Sequence, residues 1–186
     1  MIDKQLQLSV DLTLNKAQSI FVKKARDYGT SWRDMRVISL ADQLYIKAKR
    51  IGEISKVKQK VTGEGNDIES EFLGIINYSI VGVIQNRLND PIPGEPKMSA
   101  DEAISNYISV VEKFYNYSAS QHIYLIDKIL GYSTIKFSEK LQQKCKRIES
   151  LYRIKDRDNK VVIFGAFMEI LFWSLIGHCA YETTQK

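Results

Sequence analysis

The sequence predicts an all-α protein: a helical bundle of two diverged three-helix repeats packed as a pseudo-dimer. Three observations carry that prediction. All three prolines (Pro91, Pro93 and Pro96) fall within residues 89–98, so no other segment carries the residue that breaks helices. Apolar residues recur at helical spacing through both halves. Three blocks of the first half also return, in the same order, in the second.

The first helix is predicted over 14–26, where Leu14, Ala17, Phe21, Ala25 and Tyr28 form a stripe opposite Lys16, Lys23 and Arg26. Asp27-Tyr28-Gly29-Thr30-Ser31-Trp32-Arg33 breaks this pattern, and Gly29 can end the helix. A second helix is predicted over 39–54, with Ser39 as N-cap and Leu40, Leu44, Ala48 and Ile51 on its apolar face. Residues 55–66 read as a loop or a small hairpin, since Lys56-Val57-Lys58-Gln59-Lys60 alternates and Gly63-Glu64-Gly65 marks a turn. The third helix, 67–88, is mostly apolar and therefore central. After the proline segment, Ser99 and Glu102 stand at capping-box spacing. Further helices are expected at 100–117, 121–130, 137–153 and 161–181, with 153–160 as a charged connector.

The halves align with each other. Asp27-Tyr28-Gly29-Thr30-Ser31 matches Asn116-Tyr117-Ser118-Ala119-Ser120. Residues 42–51 match 139–148, keeping Lys47 in step with Lys144 and Arg50 with Arg147. Phe72-Leu73-Gly74 through Ser79 matches Phe167-Met168-Glu169 through Ser174. The chain accordingly divides into a first repeat (1–90), a Pro/Gly linker (91–98) and a second, degenerate repeat (99–186). Neither could bury an apolar third helix alone, so the two should share one core.

Composition narrows the class. Of 186 residues, 44% are hydrophobic and 26% charged, the balance of a chain that buries a core. The net charge of +5 permits an anionic partner without requiring one. Cys145 and Cys179 lack disulfide or zinc-motif spacing, and the first residues lack the layout of a signal peptide. A reducing, cytoplasmic setting is expected. Residues 161–181 approach membrane-spanning length, but Glu169 in their middle would cost about 3 kcal/mol in a bilayer. A buried central helix is expected instead, and no membrane partner.

Several polar groups invite a functional reading. Asp27, Tyr28, Trp32, Arg33 and Arg36 make either a loop able to stack a base and hold phosphates, or a helix cap followed by a core-plugging tryptophan. Asp42, Lys47 and Arg50 suit a phosphate or metal site, although their spacing alone favours a solvated charged face. On the third helix, Glu71 and Gly74 are one turn apart; the aligned pair in the second half is Ala166 and Glu169. Each half thus keeps the acid that the other lacks. Either Glu71 and Glu169 share a composite site between the repeats, or Glu169 is simply salt-bridged to Lys144 or Arg147. Asn77 lies in an apolar run and needs partners. His122 and His178 are isolated and read as structural. The basic residues form no long stripe, so duplex nucleic acid is not an expected partner.

With these residues in view, the chain resembles the nucleotide modification associated domain 1 family of bacteria and phages. The resemblance rests on Lys24-Ala25-Arg26-Asp27-Tyr28-Gly29-Thr30-Ser31-Trp32-Arg33, Ser39-Leu40-Ala41-Asp42-Gln43 and Lys47-Ala48-Lys49-Arg50-Ile51. Gly63-Glu64-Gly65 and Glu71-Phe72-Leu73-Gly74-Ile75-Ile76-Asn77-Tyr78 complete it. The whole looks like the tandem-repeat members of the Bacteroidetes lineage. The helical layout is also similar to all-α nucleoside triphosphate pyrophosphatases of the MazG type, which hold Mg²⁺ on paired acids. Asp42, however, has no acid three residues on, and Gly74 stands where many relatives carry aspartate.

The resemblance implies a nucleotide-binding protein of nucleotide metabolism or base modification, extending to Mg²⁺-dependent pyrophosphohydrolysis. In that scheme Asp42, Glu64 and Glu71 would ligate metal, and Asp42, Glu71 and Glu169 would serve catalysis. Asp27, Tyr28, Trp32, Arg33, Arg36, Lys47, Arg50 and Asn77 would bind substrate. The alternative is a non-catalytic helical scaffold. Either a monomer or a homodimer suits the chain.

Overall fold

The computed structural model describes residues 4–57, 67–92, 97–121, 126–154 and 159–185, excepting the side chains of 118–121 and 127. Among them are seven α-helices and no strand: α1 (Lys4–Tyr28), α2 (Val37–Val57), α3 (Ile68–Leu88), α4 (Ala100–Gln121), α5 (Ile126–Leu130), α6 (Thr134–Arg153) and α7 (Asn159–Gln185). A 3-10 turn, Ser31–Asp34, joins α1 to α2.

The boundaries differ from those expected where tertiary partners replace local signals. Helix α1 starts well before residue 14, because Val10 and Thr13 extend its buried stripe. Helix α2 starts before Ser39, because the Val37 amide donates to Asp90 Oδ1, 2.9 Å away beyond the end of α3. The same helix runs on through Val57, and the predicted hairpin segment that follows lies outside the described residues. Asp67 caps α3 by accepting from the Ser70 amide, Ser99 caps α4 from Glu102, and Ser133 caps α6 from Lys136. Gly29 ends the first helix region at φ +71°, a conformation that costs glycine little. The aligned Ser118 interrupts nothing, and α4 continues through it.

Helices α3 and α7 pack on each other at the centre, α2 lies on α6, and α1 meets α4. These are the pairs that the aligned blocks equate. At the α3–α7 crossing the fit is reciprocal. A Cβ on Gly82 would stand 2.2 Å from the Phe167 ring, and one on Gly177 would stand 2.7 Å from the Phe72 ring. Aligned phenylalanines thus sit on aligned glycines, each from the opposite helix. Ser79 and Ser174, also aligned, are buried and return their hydroxyls to their own helices through the carbonyls of Ile75 and Leu171.

One core runs from Val10 to Ala180 and draws on both halves. Helix α7 has the length and apolarity of a membrane span, yet 72% of an apolar 18-residue stretch within it is buried inside the bundle. Burial on all sides accounts for its composition.

Candidate functional site

A cleft of ≈ 630 Å³ opens between α1, the 3-10 turn, α2 and α3. Helix α1 supplies Ile20, Lys24 and Tyr28 at four-residue intervals, a stripe beside the buried one of Ala17, Phe21 and Ala25. Gly29 turns the chain, and Trp32 follows on the 3-10 turn. Tyr28 is 79% exposed at the rim. Trp32 is half-buried, and its indole Nε1 is enclosed with no hydrogen-bond partner among the described residues. Such an orphan donor costs about 1–3 kcal/mol.

The opposite wall comes from α3 through Ser70, Leu73, Gly74, Asn77, Tyr78 and Val81. Tyr107 on α4 stacks on Phe21 with ring centroids 4.5 Å apart, and its hydroxyl donates to Asn77 Oδ1 at 2.7 Å. That bond satisfies the amide oxygen and leaves the Asn77 nitrogen as the donor available to the cleft. Burial raises the Tyr107 pKa far above its ordinary value, so the phenol keeps the proton this bond uses.

Lys47 enters the cleft from α2, passing over Gly74 toward Glu71. Its Nζ lies 3.2 Å from Glu71 Oε2 and 5.9 Å from the centre of the Tyr78 ring. The Arg50 guanidinium stands 2.9 Å from Glu71 Oε1, close enough for an ion pair though not aligned as a hydrogen bond. Glu71 is 1% exposed, enclosed between two cations, as a buried carboxylate must be. No carboxylate lines the cleft among the described residues. Its charged side chains are Lys24 and Lys47.

The remaining residues singled out from the sequence stand elsewhere. Asp27 lines a groove on the outer side of α1 with Asn15, Lys23 and Arg26. Arg33 is buried and donates to the Asn89 carbonyl at 3.0 Å, holding the end of α3 against the turn. Arg36 is exposed, and its charge acts on Tyr152. Asp42 is exposed in a groove with Tyr45, Cys145, Lys146 and Glu149, between α2 and α6. Five residues of helix separate Asp42 from Lys47, a rotation of about 140°, so the two point to different neighbours. Glu64 and His122 lie outside the described residues.

Glu169 belongs to a second cleft, with Lys144, Arg147, Tyr132 and Trp173. It pairs with Lys144 and, at 3.3 Å, with Arg147. Of the two readings left open for Glu169, the salt bridge to Lys144 and Arg147 is the one present, and Glu71 likewise meets Lys47 and Arg50, so each acid meets the Lys/Arg pair of its own half. A Mg²⁺ held jointly by Asp42 and Glu71 does not fit this arrangement, since one faces α6 and the other is neutralised behind Lys47.

Lys24, Tyr78 and Tyr107 were not singled out from the sequence. Lys24 and Tyr28 are one turn apart, which gave a signal. Tyr107 gave none, because its partner Asn77 is distant in the chain.

Residues 24–86 match the model of the nucleotide modification associated domain 1 family. That span holds Lys24, Tyr28, Trp32, Lys47 and Asn77. No curated protein and no solved structure matches the chain.

Proposed function

We propose that the cleft between α1 and α3 binds a nucleotide, and that the protein serves nucleotide metabolism or base modification in the cytoplasm as a binding module. The observation that carries this reading is the cleft's composition. Two exposed or half-exposed aromatic rings flank two lysines and an amide donor, with no lining acid among the described residues. Tyr28 and Trp32 offer faces on which a base can stack, a contact worth about 1–3 kcal/mol per base. Lys24 and Lys47 supply compact positive charge for phosphate oxygens. Asn77, oriented by Tyr107, donates to a base or sugar oxygen. Of the residues named from the sequence, Tyr28, Trp32, Lys47 and Asn77 therefore keep a binding role. Arg50 acts through Glu71, which stands behind Lys47.

Among the described residues no carboxylate lines the cleft, so binding is the reading proposed; Glu64 lies outside those residues. Isothermal titration of the folded protein with a panel of ribo- and deoxynucleotides, with and without Mg²⁺, tests the reading. Saturable binding abolished by Lys47→Ala supports it. No binding of any nucleotide overturns it and leaves the helical scaffold. Mg²⁺-dependent release of pyrophosphate would instead assign the hydrolase reading.

A further inference from the structure

At the far end of α7, three side chains from two helices converge. Glu69 comes from the first turn of α3, and His178 and Glu182 come from the last turns of α7, four residues apart and so on one face. One ligand atom from each lies within 4.8 Å of the others. His178 Nε2 is 3.7 Å from Glu69 Oε1 and 4.0 Å from Glu182 Oε1, beyond hydrogen-bond reach of both.

The histidine is the informative member. It is 1% exposed, and Nε2 is buried with no hydrogen-bond partner. Its other nitrogen is committed: Nδ1 lies 3.1 Å from Thr13 Oγ1. The Thr13 hydroxyl in turn donates to the Ser9 carbonyl at 2.8 Å. With its one hydrogen spent there, Thr13 Oγ1 can only accept, so Nδ1 carries the proton. In the neutral ring Nε2 is then a bare lone pair facing two carboxylates. Three electron-rich atoms face one another, and among the described residues only one of them, Glu69 Oε1, holds a cation, the Lys16 ammonium.

We infer that Glu69, His178 and Glu182 form a binding site for a divalent transition metal of the zinc type. One imidazole nitrogen and two carboxylates are a borderline ligand set, suited to zinc and its neighbours rather than to Mg²⁺ or Ca²⁺, which take oxygen ligands. Tetrahedral ligands about 2.1 Å from zinc stand about 3.4 Å apart. His178 is fixed by its packing, whereas Glu69 and Glu182 are partly exposed and can close the small remaining gap. Thr13 plays the orienting part that metal-bound histidines require, holding the tautomer through the second nitrogen. Lys16 pairs with Glu69 and is about half exposed, so it can yield its place to the metal and return to water. Three protein ligands leave a fourth position for solvent. Bound there, the ion ties α1, α3 and α7 together at one end of the bundle. This inference is independent of nucleotide binding in the cleft.

The test uses the full chain, stripped with chelator and titrated with Zn²⁺ by calorimetry and with Co²⁺ by visible absorption. One equivalent should bind, raise the melting temperature, and give the absorption of four- or five-coordinate Co²⁺; Mg²⁺ should do neither. His178→Gln alters a buried position and risks misfolding, so Glu69→Gln and Glu182→Gln carry the decision. Each should lower Zn²⁺ affinity by about tenfold or more, and Thr13→Val should lower it by about 10–100-fold. A folded protein that binds no Zn²⁺ overturns the inference. So does binding that both glutamate variants leave unchanged.

Discussion

Lys47 lies directly over Gly74: a Cβ at that glycine would stand 2.9 Å from Lys47 Cε. The bare backbone gives the lysine a path across α3 to Glu71, 3.2 Å from its Nζ. In the other half, Glu169 occupies the place aligned with Gly74, and Lys144 stops at it. The two halves place one acid before the same Lys/Arg pair, a helical turn apart. Only the first arrangement brings its lysine into an acid-free cleft.

Gly74→Asp should therefore weaken the cleft's hold on phosphate. The new carboxylate would capture Lys47 and add negative charge to the lining. Without Mg²⁺, nucleotide affinity measured by calorimetry should fall about tenfold, or about 1.4 kcal/mol. Unchanged affinity would mean that Lys47 does not touch the phosphate.

Tyr28→Ala should separate recognition from folding. The ring is 79% exposed, so its loss should leave the urea midpoint where it was. If the ring stacks on a base, affinity drops by about 1–2 kcal/mol, and the loss is the same for different bases because stacking reads no hydrogen-bonding edge. A drop confined to one base would point to an edge contact instead.

Gly82→Ala should be among the costliest small substitutions in the core. The added methyl meets the Phe167 ring at 2.2 Å, and overpacking costs about 1–3 kcal/mol, against a helix-propensity gain of about 1 kcal/mol. A net loss of up to about 2 kcal/mol in chemical denaturation is expected. Gly177→Ala, with its contact at 2.7 Å, should cost less. Adding Phe167→Leu to Gly82→Ala should recover part of the loss, and no recovery would show that the ring is not the obstacle.

How much of this was legible in the sequence depended on whether the cause was local. The apolar stripe of Leu14, Ala17, Phe21 and Ala25 specified α1, and the uniform hydrophobicity of α3 and α7 marked them as central. Ser99 announced α4 by its spacing to Glu102. The start of α2 could not be read, because its cap is Asp90, supplied from beyond α3. The site divided in the same way. Tyr28, Trp32, Lys47 and Asn77 came together as helical spacing and the Gly29 turn allowed. Arg33 looked like a phosphate ligand but is buried and donates to the Asn89 carbonyl. Asp42 looked like a metal ligand but turns toward α6, which only the packing of the second half decides. His178, isolated in sequence, gained its neighbours Glu69 and Thr13 from helices more than half the chain away.

Cys145 gives a pH dependence whose sign can be worked out. The thiol is 2% exposed on α6, and burial pushes its pKa from 9.0 up to about 12. Between those values the unfolded chain has released a proton that the folded chain still holds. Stability from this group is therefore complete below about pH 9 and declines as pH rises toward 12. Cys145→Ala removes this contribution, so denaturation midpoints followed across that range should fall less steeply in the variant than in the parent. Near pH 8 the parent's thiol should resist alkylating reagents until the protein is unfolded, since almost no thiolate exists to attack them. Rapid labelling of Cys145 in the folded protein would show that α6 opens away from α2, and with it the groove that holds Asp42.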